Sequence, residues 1–304
     1  MKVLVGFDGS PDATAAITVG AALLPGAHAQ IAHVWMPPFT VHPSPAERRE
    51  ARTVEGFIRL LEEHGRTRAD EITRDGVRLA EAAGWTAEPA GRRGFAGEGL
   101  ELARLAEQLD PDVLIVGARG MSGLRALLGS VSDAVAHYSP VPVLVVPRRA
   151  PHERADGPDA GPVITAYDGS EGAELAFAAA RRLWPSRQHV VASVACAAAQ
   201  DLAPDSGLVR AVLTPKGVPS TARAVADALA EHAAGIGAAA IVIGSRGQSV
   251  HREVLLGSVA MATLHHAHRP VLAVPPPMRL AHAAELTWLT DVGQPPRFER
   301  KTQS

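Results

Sequence analysis

Two short stretches carry the residue types best suited to holding an anion. Gly117-x-x-Gly120 is followed by Gly129-Ser130, and Gly244-x-x-Gly247 is followed, after nine intervening residues, by Gly257-Ser258. Glycine lets backbone N–H groups approach phosphate oxygens, and Gly-Ser opening a helix offers a positive N-terminus and a hydroxyl. Phosphate binding is the chemistry this spacing points to. Arg119 and Arg246 fill the same slot in the two Gly-x-Arg-Gly turns, where a guanidinium can pair with phosphate or simply stay solvated. Asp8-Gly9-Ser10 and Asp168-Gly169-Ser170 each follow an apolar run. These residues also have a structural use: paired glycines make tight turns, and Asp8, Ser130 and Ser258 can cap the helices that follow them. GxxG alone is a weak signal. Recurrence of the glycine pair, the distal Gly-Ser and the Asp together, twice in one chain, is what chance explains poorly.

The elements that must position these residues are themselves repeated. VLVGFDGSPDATAAITVGAAL at 3–23 is echoed by VITAYDGSEGAELAFAAARRL at 163–183, and 112–147 is echoed by 239–275. At 304 residues the chain has room for two ordinary domains. They are expected at 1–147 and 162–276, joined by a linker over 148–161, charged and rich in Pro and Gly, with a tail at 277–304. Strands are expected at 2–7, 30–36, 86–90, 112–116 and 142–146, with helices at 11–23, 98–109 and 130–138 and a helical stretch within 47–83. Short continuous apolar strands such as VLIVG, VLVVP, AIVIG and VLAVP suit a parallel sheet buried on both faces. Each half therefore reads as a doubly wound α/β layer with five parallel strands, whose ligands sit beyond the carboxyl ends of the strands. Asp8 and Gly117, like Asp168 and Gly244, should then share one rim.

The copies differ in length. Gly117 follows Asp8 by 109 positions and Gly244 follows Asp168 by only 76, so the second copy is 33 shorter in its middle. In the first copy that middle holds Val54, Phe57, Ile58 and Leu61 at helical spacing. In the second, about ten residues separate the strand HVVASVACA from LVRAVL, near the lower limit for a parallel crossover.

Composition excludes several classes. Apolar residues are 46% and charged residues 20%, which removes disordered and fibrous readings. A net charge of -2 argues against counterion-release binding to nucleic acid. The single cysteine, Cys196, forms no internal disulfide and no cysteine-based zinc site and reads as a buried strand residue. No apolar stretch approaches a membrane span, and Asp8 and Gly9 arrive before any signal-peptide core, so a cytoplasmic protein is expected.

With these residues in view, the chain resembles the tandem universal stress proteins of the ATP-binding type. The resemblance rests on the first-strand Asp and on Gly, two residues, Gly, nine residues, Gly-Ser, which the second copy meets as GSRGQSVHREVLLGS. It implies Rossmann-like domains of the adenine nucleotide alpha hydrolase kind, the second one truncated, and ATP with Mg²⁺ as ligands. It places Asp8 and Asp168 near the adenosine and Val34 and Val194 against adenine. Ribose and phosphates fall to Gly117, Gly120, Gly129 and Ser130, and to Gly244, Gly247, Gly257 and Ser258. Val116, Val131, Ile243 and Val259 flank them, with Gly9, Ser10, Gly169 and Ser170 beside the aspartates. The resemblance also implies that the two halves pair through their last strands, VPVLVVP and PVLAVP, as a pseudo-dimer able to form a further homodimer. The first copy departs from the pattern in having eight residues, Met121 to Leu128, where nine are expected.

Other clusters read as structural. His265, His266 and His268 fall at a helix end, where imidazole suits the dipole and neighbours in sequence cannot face one metal. Arg48, Arg49 and Arg52 with Glu47, Glu50 and Glu55 form a solvated helix face. The function expected is nucleotide-dependent regulation through partners or assembly state. An assembly module without nucleotide and a slow adenine-nucleotide hydrolase are the alternatives. Against the last, the chain has no GxxxxGK[ST] loop and only three lysines, Lys2, Lys216 and Lys301.

Overall fold

The computed structural model describes residues 1–36, 53–95, 97–119, 128–147, 161–194, 208–216, 221–245 and 256–276. The Arg48–Arg52 cluster, Cys196, residues 148–160 of the expected linker and the tail lie outside the described residues.

In the first half the chain runs β1 (Lys2–Gly6), α1 (Pro11–Leu23), β2 (His28–Ala32), β3 (Val34–Trp35), α2 (Val54–Ala82), β4 (Thr86–Pro89) and β5 (Arg92–Arg93). It continues with α3 (Glu98–Leu109), β6 (Val113–Gly117), α4 (Ser130–Tyr138) and β7 (Val143–Val146). The second half runs β8 (Val163–Ala166), α5 (Glu171–Leu183), β9 (His189–Val194), β10 (Leu208–Leu213), α6 (Ala222–Gly235), β11 (Ala240–Gly244), α7 (Ser258–His266) and β12 (Val271–Val274).

Each half contributes five parallel strands to one ten-stranded sheet, in the order β10-β9-β8-β11-β12-β7-β6-β1-β2-β4. The order within a half reverses beside its first strand, so the carboxyl ends of β1 and β6, and of β8 and β11, flank a crevice at the switch point. β6 and β11 are buried along their whole length, as sequences apolar at every position require. Helices α1, α2 and α5 pack on one face of the sheet. Helices α3, α4, α6 and α7 pack on the other.

The halves meet at β7 and β12, the only antiparallel pair of this sheet among the described residues, with Leu144 opposite Leu272 and Val145 opposite Val271. Two apolar sheet edges that would otherwise template aggregation thereby satisfy each other. The end of α1 reinforces the seam. Its Leu24 carbonyl accepts from Trp85 Nε1 at 2.8 Å, within the first half. Its Leu23 carbonyl accepts from Trp184 Nε1 at 2.9 Å, across the seam. Trp184→Phe keeps the ring and removes the donor, leaving a buried carbonyl unanswered. That change is expected to cost about 1–2 kcal/mol, read as a lower urea midpoint; an unchanged midpoint would show that the bond contributes nothing.

One expected strand is broken. The run read as 30–36 leaves the main sheet at His33, whose Nδ1 lies 2.8 Å from the Phe7 carbonyl oxygen, and Val34–Trp35 pair instead with Arg92–Arg93 in a separate two-stranded sheet. A side chain that bonds the neighbouring strand's backbone replaces the next ladder bond and turns the chain. The shortened middle of the second half nonetheless delivers β10 parallel to β9 over six residues, from Leu208 opposite His189 to Leu213 opposite Val194.

Candidate functional site

The crevice of the first half opens into a cleft, at the place where ligands of doubly wound sheets sit. Gly6, Phe7 and Asp8 line it from the end of β1, and Ala32, His33 and Val34 from the end of β2. Val116, Gly117 and Arg119 enter from β6. Glu98 and Leu102 come from one face of α3, and Val131 from the first turn of α4. Asp8, Val34, Val116, Gly117, Arg119 and Val131, dispersed in sequence, are thus brought together.

The local turns explain how. Asp8 does not cap α1. Its Oδ1 accepts from the Ser10 N–H at 2.9 Å, an Asx turn that needs the left-handed Gly9, φ +79°. The cap is Ser10, whose Oγ accepts from the Ala13 N–H at 3.1 Å. Ser10 is therefore buried under α1, and Gly9 and Ser10 shape the turn while Asp8 reaches the cleft. The second half repeats the device: Asp168 Oδ1 accepts from Ser170 N–H at 3.0 Å, Ser170 Oγ caps Ala173 N–H at 3.2 Å, and Gly169 has φ +80°.

The two Gly-Ser helices follow another rule. α4 and α7 start with Gly129 and Gly257 as N-caps, and neither receives a side-chain cap bond. Ser130 and Ser258 are the first helical residues and solvent-exposed, so the reading of these serines as caps is corrected. By contrast α1, α2, α5 and α6 are each capped by a Ser or Thr hydroxyl. Among the described residues no side chain caps the first-turn amides of α4 or α7, and uncapped first-turn amides are what an anion site at a helix N-terminus uses.

Both glycine loops are pinned alike. Gly129 N–H donates to the Ala118 carbonyl at 2.8 Å, and Gly257 N–H to the Ser245 carbonyl at 2.6 Å. The loop shorter by one residue therefore opens and closes on the same bond as its full-length counterpart. Gly120, Arg246 and Gly247 lie outside the described residues. Ile243 and Gly244 are buried at the end of β11, and Val194 and Val259 are partly exposed beside them.

Gly117 owes its glycine to packing. A Cβ there would stand 2.6 Å from the Asp12 carbonyl carbon and 2.7 Å from its oxygen, so β6 lies directly against the backbone of α1. Its carbonyl accepts from buried Ser132 Oγ at 2.6 Å, which ties the strand end to α4.

Two cleft residues escaped the sequence reading, His33 and Glu98. Neither belongs to a motif, and only the kink after β2 and the start of α3 bring them in. Glu98 is exposed at the cleft mouth. Even so, the surrounding walls withdraw water and push its carboxyl pKa up; Asp8 pushes the same way and His33 opposes. Among the described residues no group of His, Cys, Asp and Glu is placed to hold a metal ion, and no helix is long and apolar enough to cross a membrane. His265 lies at the seam instead, its Nδ1 accepting from the Leu128 N–H at 3.4 Å.

A family model described as the universal stress protein family matches residues 1–147 and 197–275, more than half of the sequence. The chain belongs to the universal stress protein family. A universal stress protein from Archaeoglobus fulgidus DSM 4304 is similar at 20% identity over 90% of this chain and 98% of that one, with a TM-score of 0.62. A protein of unknown function from Pseudomonas aeruginosa PAO1 is similar at 13% identity over 95% and 97%, with a TM-score of 0.54. A universal stress protein family protein from Arabidopsis thaliana, solved with AMP bound, is similar at 18% identity over 52% and 97%, with a TM-score of 0.35. For the first two the likeness is one of fold. The family model passes over 148–196, yet that stretch holds β8, α5 and β9 in the order of β1, α1 and β2.

Proposed function

We propose that this universal stress protein binds an adenine nucleotide, ATP accompanied by Mg²⁺, in the cleft of its first half, and that occupancy regulates its encounters with partners. The observation that carries this reading is the combination in one cleft of an apolar slot at Val34 and Leu102, Arg119, and the α4 N-terminus without a side-chain cap. An apolar slot suits a base, and free first-turn amides with a guanidinium suit phosphates. Val34 would meet adenine, Asp8 the ribose, and Gly129, Ser130 and Arg119 the phosphates. Mg²⁺ would ride on phosphate oxygens, as this ion commonly does. Asp168, Gly257 and Ser258 offer the second half a related set.

Regulation requires that the nucleotide bind two states of the protein with different affinity. The test begins by denaturing purified protein and identifying any released small molecule by mass. Calorimetric titration with ATP and Mg²⁺ is expected to give a stoichiometry of at least one. A value of two extends the reading to the second half. Arg119→Ala is expected to weaken binding about tenfold, the scale of one charge-assisted contact. No released nucleotide and no heat at several temperatures would overturn the proposal.

A further inference from the structure

The cleft of the first half is not lined as a pocket for a polyanion alone would be. Beside Arg119 it presents two carboxylates, Asp8 and Glu98, and the imidazole of His33. Their placement follows from the strand order β2, β1, β6. His33 and Val34 stand at one end of the cleft, Asp8 in the middle, and Gly117 with Arg119 at the other. Glu98 sits one helical turn from Leu102, over an apolar floor so tight that a Cβ on Gly6 would stand 3.0 Å from Leu102 Cδ1 and 3.1 Å from Val116 Cγ1. Glu98 shares the cleft lining with Asp8 and His33, and these two are the charges that act on its carboxyl, whose pKa burial pushes up.

A carboxylate at that place repels phosphate and favours a neutral donor. With the base at Val34 and the phosphates at α4, the part of a nucleotide that crosses the β1 end is the sugar, and its donors are the ribose hydroxyls. We propose that Glu98, with Asp8, reads the ribose of the bound nucleotide by accepting a hydroxyl hydrogen bond, so that the first half selects ribonucleotides over deoxy analogues. This rests on the nucleotide reading above.

The second half lacks the group. Counted back from Gly117 and Gly244, which end equivalent strands, Glu98 corresponds to Val225, just as buried Leu102 corresponds to buried Leu229. Val225 packs partly buried against the core, and His33 is replaced in the same register by Ser193. Any nucleotide held by the second half would meet Asp168 but an apolar side chain, Val225, in the place of Glu98.

The experiment compares Mg·ATP with Mg·2′,3′-dideoxy-ATP by calorimetry on the full chain. The unaltered protein is expected to prefer ATP by about tenfold, since a site built to bond a hydroxyl penalises its loss. Glu98→Ala is expected to bind both nucleotides and to lower that preference to about threefold or less, the remainder belonging to Asp8. Glu98→Gln, which keeps an acceptor oxygen without the charge, is expected to restore most of it, an outcome that altered charge alone does not produce. If Glu98→Ala binds ATP with the preference intact, or if the unaltered protein binds both nucleotides equally, the role of Glu98 is overturned while nucleotide binding stands. If the unaltered protein binds neither, both readings fall.

Discussion

Ser130→Asp is expected to stabilise the protein while nearly abolishing its hold on ATP. Ser130 is the first residue of α4, exposed, in a helix whose N-terminus has no side-chain cap. A carboxylate placed there interacts favourably with the helix dipole, contributing about 0.3–1 kcal/mol. For a chain of this size that raises Tm by roughly 1–3 °C. The same carboxylate would stand where phosphates are proposed to sit. Two unit charges about 4 Å apart near a protein surface repel by about 4 kcal/mol before salt screening. A loss of roughly a hundredfold in affinity, about 2.7 kcal/mol, is expected. Opposite signs for stability and binding are the diagnostic, because damage to the fold would move both downward. Thermal melts and calorimetric titration of the same preparation measure them, and an ATP affinity equal to that of the unaltered protein would remove α4 from the site.

Gly117→Ala is expected to have the largest effect on stability. The added methyl would lie 2.6 Å from the Asp12 carbonyl carbon and 3.0 Å from the Ala13 nitrogen, both main-chain atoms in the first turn of α1. Neither side can yield easily. Gly117 pairs with Val146 in the sheet and its carbonyl holds Ser132, while the first turn of α1 is fixed by the Ser10 cap. Overpacking against side chains typically costs 1–3 kcal/mol, and contact with backbone belongs at the upper end, about 3 kcal/mol. The urea midpoint should fall with an unchanged slope, and Tm should drop by roughly 6–12 °C. ATP binding should weaken as well, because separating β6 from α1 widens the cleft between Gly117 and Ala13. A urea midpoint unchanged from the parent would mean that the turn at Gly117 relaxes freely, and that its glycine serves only the approach of a ligand.

Much of the fold was legible in the amino-acid pattern because the signals are local. α1, α3 and α4 run over the residues the sequence predicts, since Pro11, Gly97 and Gly129-Ser130 mark their starts in the chain itself. Uninterrupted apolar strands imply a sheet covered on both faces, and the internal repeat implies two such sheets in the same strand order. The site was legible less evenly. Asp8, Gly117 and Arg119 announce themselves through repetition at fixed positions after strands. His33 does not, because its position in the cleft depends on a bond to the Phe7 carbonyl, 26 residues away in the chain. Glu98 looks like any acidic residue opening a helix.

By itself the sequence determined the α/β class, the doubled order of elements, the sheet buried on both faces and the strand ends that border the cleft. These follow from periodicity, turn residues and repetition, each contained within a few tens of residues. Tertiary structure alone decided which glycines serve packing, which serine caps and which opens a helix, and which acidic side chain faces the cleft. Those outcomes depend on distances between backbones far apart in the chain. A Cβ has no room at Gly117 only because α1 crosses β6 there, and Glu98 meets Asp8 and His33 only because three strands and a helix end at the same rim.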